Sequence, residues 1–348
     1  MTETVESTAP VLTSVRQRTG LLVLNRPKAL NSLDPEMIEI IGQAVRTWEN
    51  DDAIDQIVIY STNPKAFCAG GDVRYARDNI LNGNAELVDD FFRSEYTVNG
   101  ELAQCTKPVV AIINGVVMGG GLGISLHGSH RVVTENAFAS MPEMAIGYFT
   151  DVGVAHTAQR MVGTRGQASE ALAKYWAITG YRMYAADMLW SGLATHVVKD
   201  ADEILEAIIA DGVDAALDKH SYVPEEPAPL ADIIEHIEST FNHATWPEIQ
   251  EALKSADKDF AQSTAGYLAA ACPTSVVASN ELFESHAKED DIVEALKREE
   301  SLGRYIRSRE DFVEGVRAVL IEKTKDAAFS PADTASVDLA GIHKALEL

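Results

Sequence analysis

The sequence predicts an α/β fold: a largely parallel sheet covered by helices, followed by a helical C-terminal region. From residue 11 to about 200, strand-like apolar runs alternate with helix-like segments, the pattern of strands paired in parallel through helical crossovers. From about Ala201 onward Ala, Glu, Lys, Leu and Ile recur at helical spacing and strand-like runs vanish. Two glycine-rich segments in the first part each follow a strand run and open a helix. The expected organisation is an α/β core over residues 11–200 and a helical region over 201–348.

Taken in order, residues 11–24 read as two strands about Thr19-Gly20. Asp34-Pro35-Glu36 opens an amphipathic helix, with Asp34 as N-cap and Pro35 at the first helical position, where a missing N–H costs nothing. Gln56 to Tyr60, Pro108 to Ile113, Arg131 to Thr134 and a short run at Val197 read as strands, and Gly120 to His127 as a helix. Val109 to Leu126 is apolar enough to suggest a membrane span, but Asn114 and five glycines break it into buried strand, turn and helix. The run Tyr222-Val-Pro-Glu-Glu-Pro-Ala-Pro reads as a loop or linker, and Asp311 to Lys323 as a final amphipathic helix.

The chain has 348 residues, 46% of them hydrophobic, which is ample for one large or two ordinary cores. Its 53 acidic residues outnumber 29 basic ones, for a formal charge of -24, so neither nucleic acid nor an anionic membrane is an expected partner. Any anionic ligand must be met by local donors. The three cysteines, Cys68, Cys105 and Cys272, show no metal or redox spacing. Together with an N-terminus that lacks the basic and apolar regions of a signal peptide, this usage predicts a cytoplasmic protein.

Several familiar motifs are absent. No phosphate-binding Gly-x-x-x-x-Gly-Lys loop occurs, Gly119 to Gly123 fails the dinucleotide pattern because position 124 is Ile, and Gly123 to His127 fails the Gly-x-Ser-x-Gly elbow. What remains are the turns Lys65-Ala-Phe-Cys-Ala-Gly-Gly-Asp72 and Asn114-Gly-Val-Val-Met-Gly-Gly-Gly-Leu-Gly123. Either reads alone as tight backbone packing; two that converge would expose backbone N–H groups to a developing oxyanion. Three carboxylates accompany them. Glu143, beside Met141, Met144 and Ile146, is suited to proton transfer if desolvated. Asp151 reads equally as a helix cap, and Glu95 as a solvated helix face. Cys68 reads as a small buried thiol, and His127 and His130 as structural.

The segments Asn25-Arg-Pro-Lys-Ala-Leu-Asn31, Ala66-Phe-Cys-Ala-Gly-Gly-Asp72, Gly115-Val-Val-Met-Gly-Gly-Gly-Leu-Gly123 and Met141-Pro-Glu143 resemble the crotonase (enoyl-CoA hydratase/isomerase) superfamily. Within it the chain is most similar to the 3-hydroxyisobutyryl-CoA hydrolases, through Phe91-Phe-Arg-Ser-Glu-Tyr96, Ser125-Leu-His-Gly128, Met141 to Gly153 and Asp311 to Lys323. The resemblance spans about residues 11–332. It implies a spiral of ββα units, with the helical region covering an acyl site, and a CoA thioester as substrate. It also implies hydrolysis of 3-hydroxyisobutyryl-CoA in valine catabolism without a metal or redox cofactor. The backbone N–H groups of Gly71 and Gly120 would form the oxyanion hole, with Glu143 and Asp151 catalytic and Glu95 assisting at the substrate. Arg26 and Lys28 would meet the CoA phosphates, with Lys65 and the weaker Lys323 beside them, though each reads equally as a surface charge. Ala66 and Ala69 would let the cofactor portion of the substrate lie along the backbone, and Asp72 would fix the turn. A homo-oligomer built on trimers is the superfamily habit.

The alternatives are a hydratase or isomerase of the same fold and a noncatalytic CoA-ligand binder or assembly subunit. Hydratases of the superfamily carry a second catalytic glutamate where this chain has Gly123. Keeping Glu143, Asp151 and both turns argues against the binder.

Overall fold

The structure, a computed structural model, describes residues 9–347. The signal-peptide reading therefore falls largely on residues 1–8, outside the described residues. Eleven strands appear among the described residues: β1 Val11–Arg16, β2 Thr19–Leu24, β3 Gln56–Ser61, β4 Ala66–Cys68, β5 Val109–Ile113, β6 Val116–Met118, β7 His130–Thr134, β8 Phe138–Ser140, β9 Met183–Tyr184, β10 His196–Val198 and β11 Ser221–Tyr222. They form two sheets, one ordered β1-β2-β3-β5-β7-β10-β11 and one ordered β4-β6-β8-β9.

The two sheets share one winding rule. Each of the pairs β3–β4, β5–β6 and β7–β8 places its first strand in the large sheet and its second in the small one, and a helix or helical turn follows. Within the large sheet β2, β3, β5, β7 and β10 run parallel, with antiparallel β1 and β11 at the edges. This is the expected α/β architecture, a spiral of ββα units. Burial on both faces explains why β5 reads Val-Val-Ala-Ile-Ile without polar alternation. Val110 and Ile112 face one core with Ile204, Leu205, Ile208 and Leu217, while Val109, Ala111 and Ile113 face the other.

The helices Ala201–Asp211 and Val213–His220 therefore cover the large sheet's outer face, and β11 extends that sheet to residue 222. The sheet thus continues beyond residue 200, where the periodicity had turned helical. The helix opened by Asp34 runs Pro35–Glu49, and the Asp34 carboxylate accepts from Met37 N–H at 2.9 Å. The apolar stretch Val109 to Leu126 resolves into β5, β6 and the helix Gly120–Leu126; no helix of the described residues is long and apolar enough to cross a membrane. Near the C-terminus the helix Glu310–Val316 gives way at Arg317–Ile321 to a wider π turn, and a further helix spans Leu339–Leu346. The expected single helix from Asp311 to Lys323 is therefore shorter, and another helix follows it.

The small sheet positions the glycine-rich turns. β4, β6 and β8 are adjacent and parallel, pairing Ala66 with Val116 and Val116 with Phe138. Their C-terminal ends consequently lie side by side. Gly115 lets β6 begin so close to β4: its φ is +81°, and an added Cβ would lie 2.5 Å from the Lys65 carbonyl and 2.9 Å from Ala66 N. Gly115→Ala should combine left-handed strain with a backbone clash and destabilise the fold by about 2–5 kcal/mol, measured as a loss of denaturant midpoint at unchanged slope.

Candidate active site

Three neighbouring strand ends carry three site residues. After β4 come Gly70 and Gly71, after β6 Gly119 and Gly120, and after β8 Glu143. The first turn is held by residues 30–33, where Asn31 Nδ2 donates to Phe67 O at 2.9 Å. Leu33 N–H donates to Gly70 O at 2.9 Å and Asp72 N–H donates to Leu33 O at 2.7 Å, leaving the Gly71 N–H between them with no acceptor among the described residues. Gly120 opens its helix, so its N–H has no intrahelical acceptor. The two turns touch: a Cβ on Gly120 would lie 3.1 Å from Gly71 N and collide with Glu95 Oε1. Gly120 tolerates no side chain without closing this gap, whereas a Cβ on Gly71 would lie no nearer than 3.7 Å to any atom beyond its chain neighbours, that atom being Glu95 Oε2.

Glu95, Glu143 and Asp151 surround the gap and are 1%, 7% and 4% exposed. Glu95 comes from the helix Ala85–Gln104, on the buried stripe that includes Phe91, Phe92, Tyr96 and Asn99. The solvated-face reading of Glu95 is therefore corrected: spacing of three and four from Phe92 and Phe91 places it inside. Its Oε1 and the Glu143 Oε2 are buried and have no hydrogen-bond partner among the described residues. Glu143 begins a short 3₁₀ turn, and a Cβ on Gly119 would lie 2.7 Å from its Oε1.

Asp151 does not cap the following helix. Gly153 occupies the cap position of Val154–Ala158 without a side-chain bond, and Asp151 Oδ2 instead accepts from the Tyr96 hydroxyl at 2.8 Å. From there a polar chain leads outward, Tyr96 to Tyr148 at 3.2 Å, Arg307 to Tyr148 at 2.7 Å and Arg307 to Asp89 at 2.6 Å. Sequence reasoning missed Tyr148, Arg307 and Asp89. The signal for Arg307 was its place on the apolar stripe of the helix Ile292–Arg307, beside Leu302, Gly303 and Ile306.

Burial sets the electrostatics. It pushes the Asp151 carboxyl up to about 7, opposed by the Tyr96 hydroxyl and by Arg307. It holds Glu95 and Glu143 well above the ordinary carboxylate range, and the Asp151 charge pushes both further the same way. Asp151 thus exchanges its proton near neutrality, as a general acid or base must. Cys68, in contrast, is fully buried with its thiol pushed up to about 12, its Sγ 3.0 Å from Asn31 O, so it is no nucleophile.

The remaining predicted site residues lie in the turn's framework. Arg26 is 3.2 Å from Asp34 and 3.1 Å from Asp72, and also donates to Ser32 O. It is thus neutralised within the fold, which corrects its reading as a free phosphate cation. Asp72 caps the helix Val73–Leu81 by accepting from Tyr75 N–H at 3.2 Å. Ala66 is buried in β4, and Ala69 N–H donates to Leu30 O at 3.0 Å. Lys28 and Lys65 are exposed. His127 and His130 bond to backbone and neighbouring hydroxyls, the structural role expected of them.

The site's pattern is shared. The chain matches the enoyl-CoA hydratase/isomerase family model over residues 19–346. The 3-hydroxyisobutyryl-CoA hydrolase of Xenopus laevis is 37% identical over 324 residues, covering 90% of this chain and 82% of that protein. Among solved structures, a carnitinyl-CoA dehydratase from Mycobacterium thermoresistibile superimposes with TM-score 0.89 at 33% identity, covering 97% of this chain and 96% of that one. An enoyl-CoA hydratase from Rhodobacter sphaeroides 2.4.1 gives 0.85 at 31% identity, covering 97% of each chain. The Xenopus relative, like others of the same name, is mitochondrial, and this corrects the expected cytoplasmic location. With this identity sustained over nine-tenths of its length, the chain belongs to the enoyl-CoA hydratase/isomerase, or crotonase, family.

Proposed function

We propose that the chain hydrolyses an acyl-CoA thioester, 3-hydroxyisobutyryl-CoA, to 3-hydroxyisobutyrate and CoA in valine catabolism. The observation that carries this reading is the meeting of two acceptor-free backbone N–H groups, on Gly71 and Gly120, beside the buried Glu143. The thioester oxygen would take both N–H groups, and each is worth roughly 3–4 kcal/mol of barrier as the oxygen gains charge. Ionised Glu143 either takes a proton from the water that attacks the carbonyl carbon or attacks that carbon itself. In both routes the tetrahedral species collapses, the C–S bond breaks and the sulfur leaves with its electron pair; in the first the thiolate takes back the proton Glu143 received, and in the second water then hydrolyses the acyl–Glu143 anhydride, releasing the acid and restoring the carboxylate. Asp151 would hold the substrate hydroxyl or the water, with Glu95 beside it. The reading includes no metal or redox cofactor.

In this reading Lys28 and Lys65, exposed at the rim of the first turn, meet the CoA phosphates, and Ala66 and Ala69 keep that path narrow. The helical region after residue 201 covers the acyl group: the helix Ile292–Arg307 supplies Arg307, and the helix Glu310–Val316 packs on the Glu143 turn. A trimer-based homo-oligomer belongs to the same proposal, and sedimentation velocity reads it.

A hydratase is the second reading, since the two solved structures above carry dehydratase and hydratase names. Against it stands Gly123. A Cβ there would lie 2.8 Å from Asn99 Nδ2 and 2.9 Å from the Val152 Cβ, so the position holds no acid and has no room for one. Glu95 and Asp151 would then have to serve instead.

Offering 3-hydroxyisobutyryl-CoA and crotonyl-CoA in parallel separates the readings. Release of free CoA thiol from the first is the expected result, with Glu143→Gln lowering it roughly 10²- to 10⁴-fold at a melting temperature no lower than that of the wild type. Loss of enoyl absorbance without thiol release would establish the hydratase, and thermal stabilisation by CoA with no turnover the binder. Asp151 supplies a separate, folding-based test. Its carboxyl pKa is raised from 3.8 to about 7 in the folded chain, so the folded state binds more protons between those values. Stability therefore falls as pH rises from about 4 through 7. Asp151→Asn should flatten that decline and raise the melting temperature at pH 8, and a steeper decline would refute the assignment.

A further inference from the structure

Asp151 is followed by two left-handed residues, Val152 at φ +54° and Gly153 at φ +75°. Glycine adopts this conformation freely, but a β-branched residue does so only when its surroundings hold it there. The peptide unit between the two is held at both ends. His127 places Nε2 2.7 Å from Val152 O and Nδ1 3.1 Å from Thr157 Oγ1. Burial lowers the His127 pKa to about 4, so the ring is neutral. A carbonyl only accepts, so Nε2 carries the proton and Nδ1 accepts from the Thr157 hydroxyl. On the other side the fully buried Glu299 accepts from Gly153 N–H at 2.9 Å.

Packing closes the remaining freedom. The Val152 side chain lies over Gly123, where an added Cβ would be 2.9 Å from the Val152 Cβ, and Gly153 lies against the His127 ring, where an added Cβ would be 2.7 Å from Cε1. We propose that His127 and Glu299 are positioning residues for the hydrolysis, gripping the Val152–Gly153 peptide so that the Asp151 carboxyl is fixed toward Tyr96 and the acyl site. The proposal rests on the reading of Asp151 given above. His127 directly follows the helix that Gly120 opens, so the same seven-residue element ties the Gly120 N–H to the Asp151 carboxyl. The groups facing that carboxyl are Glu95 and Tyr96 from one helix, Arg307 and Glu299 from another, and Glu143 and Tyr148 from the turn between.

The test compares His127→Leu and Glu299→Leu, which remove the grip, with His127→Gln and Glu299→Gln, which keep a donor and an acceptor. Two quantities are measured: the ¹³C-carboxyl titration of Asp151, identified by its loss in Asp151→Asn, and kcat and KM for thiol release. In the leucine variants the Asp151 titration should move from near 7 toward the ordinary aspartate range as the carboxyl swings to water. Their kcat should fall roughly 10- to 100-fold with KM changed far less, as a misplaced catalytic group predicts. The glutamine variants should keep the titration near 7 and recover most of kcat. An Asp151 titration and kcat left unmoved in folded leucine variants would overturn the proposal. If the leucine variants fail to fold, Thr157→Val, which removes only the hydroxyl that fixes the His127 tautomer, decides by the same two readings. Wild-type protein that releases no CoA would overturn the functional reading, while the carboxyl titration would still decide the grip.

Discussion

The site depends on one constraint, the parallel adjacency of β4, β6 and β8. Strands that run side by side in the same direction must finish side by side, and whatever follows them is brought together without any long-range search. Here the followers are Gly71, Gly120 and Glu143. The short strands bury Phe67, Cys68, Val117 and Ala139 in the core. Their importance is geometric, because a slip of one residue in either pairing would turn a glycine N–H away from the gap and leave Glu143 opposite the wrong turn.

Around that arrangement the fold accepts a concentration of buried acid that would be costly in an ordinary core. Glu95, Glu143, Asp151 and Glu299 are all nearly or fully buried, and three of them leave a carboxylate oxygen without a partner. Arg307, the cation facing them, is itself engaged by Asp89 and Tyr148. The result is a set of carboxyls held toward their neutral forms, in a place where stability is traded for groups that can carry protons.

Much of this was legible in the letters. Apolar continuity in β5 announced a strand buried on both faces, the Asp34-Pro35 pair announced a helix start, and the two glycine-rich turns announced exposed backbone donors. Other features depend on distance along the chain rather than on local pattern. Arg307 reaches Tyr148 across 159 positions, and Glu299 reaches Gly153 across 146. Neither contact has a local signature beyond a charge on an apolar helical stripe, a sign that was available for Glu95 as well. Arg26 shows the opposite error. A cation in a turn motif that resembles the family's invites a ligand, but two carboxylates of the fold were close enough to claim it.

The buried acids also bear on how a reaction here would finish. A thioester enters this region uncharged at its reacting end, whereas hydrolysis leaves a carboxylate in the same place. That new anion lies among Glu143, Glu95 and Asp151, and the one guanidinium facing it is already spoken for. A carboxylate taken into a poorly solvated space, among carboxyls held toward their neutral forms and without a free cation, is strongly disfavoured. The same residues that make the bond cleavable would therefore expel the acid product and resist its return, giving the step a direction that neither the backbone donors nor the strand geometry supplies.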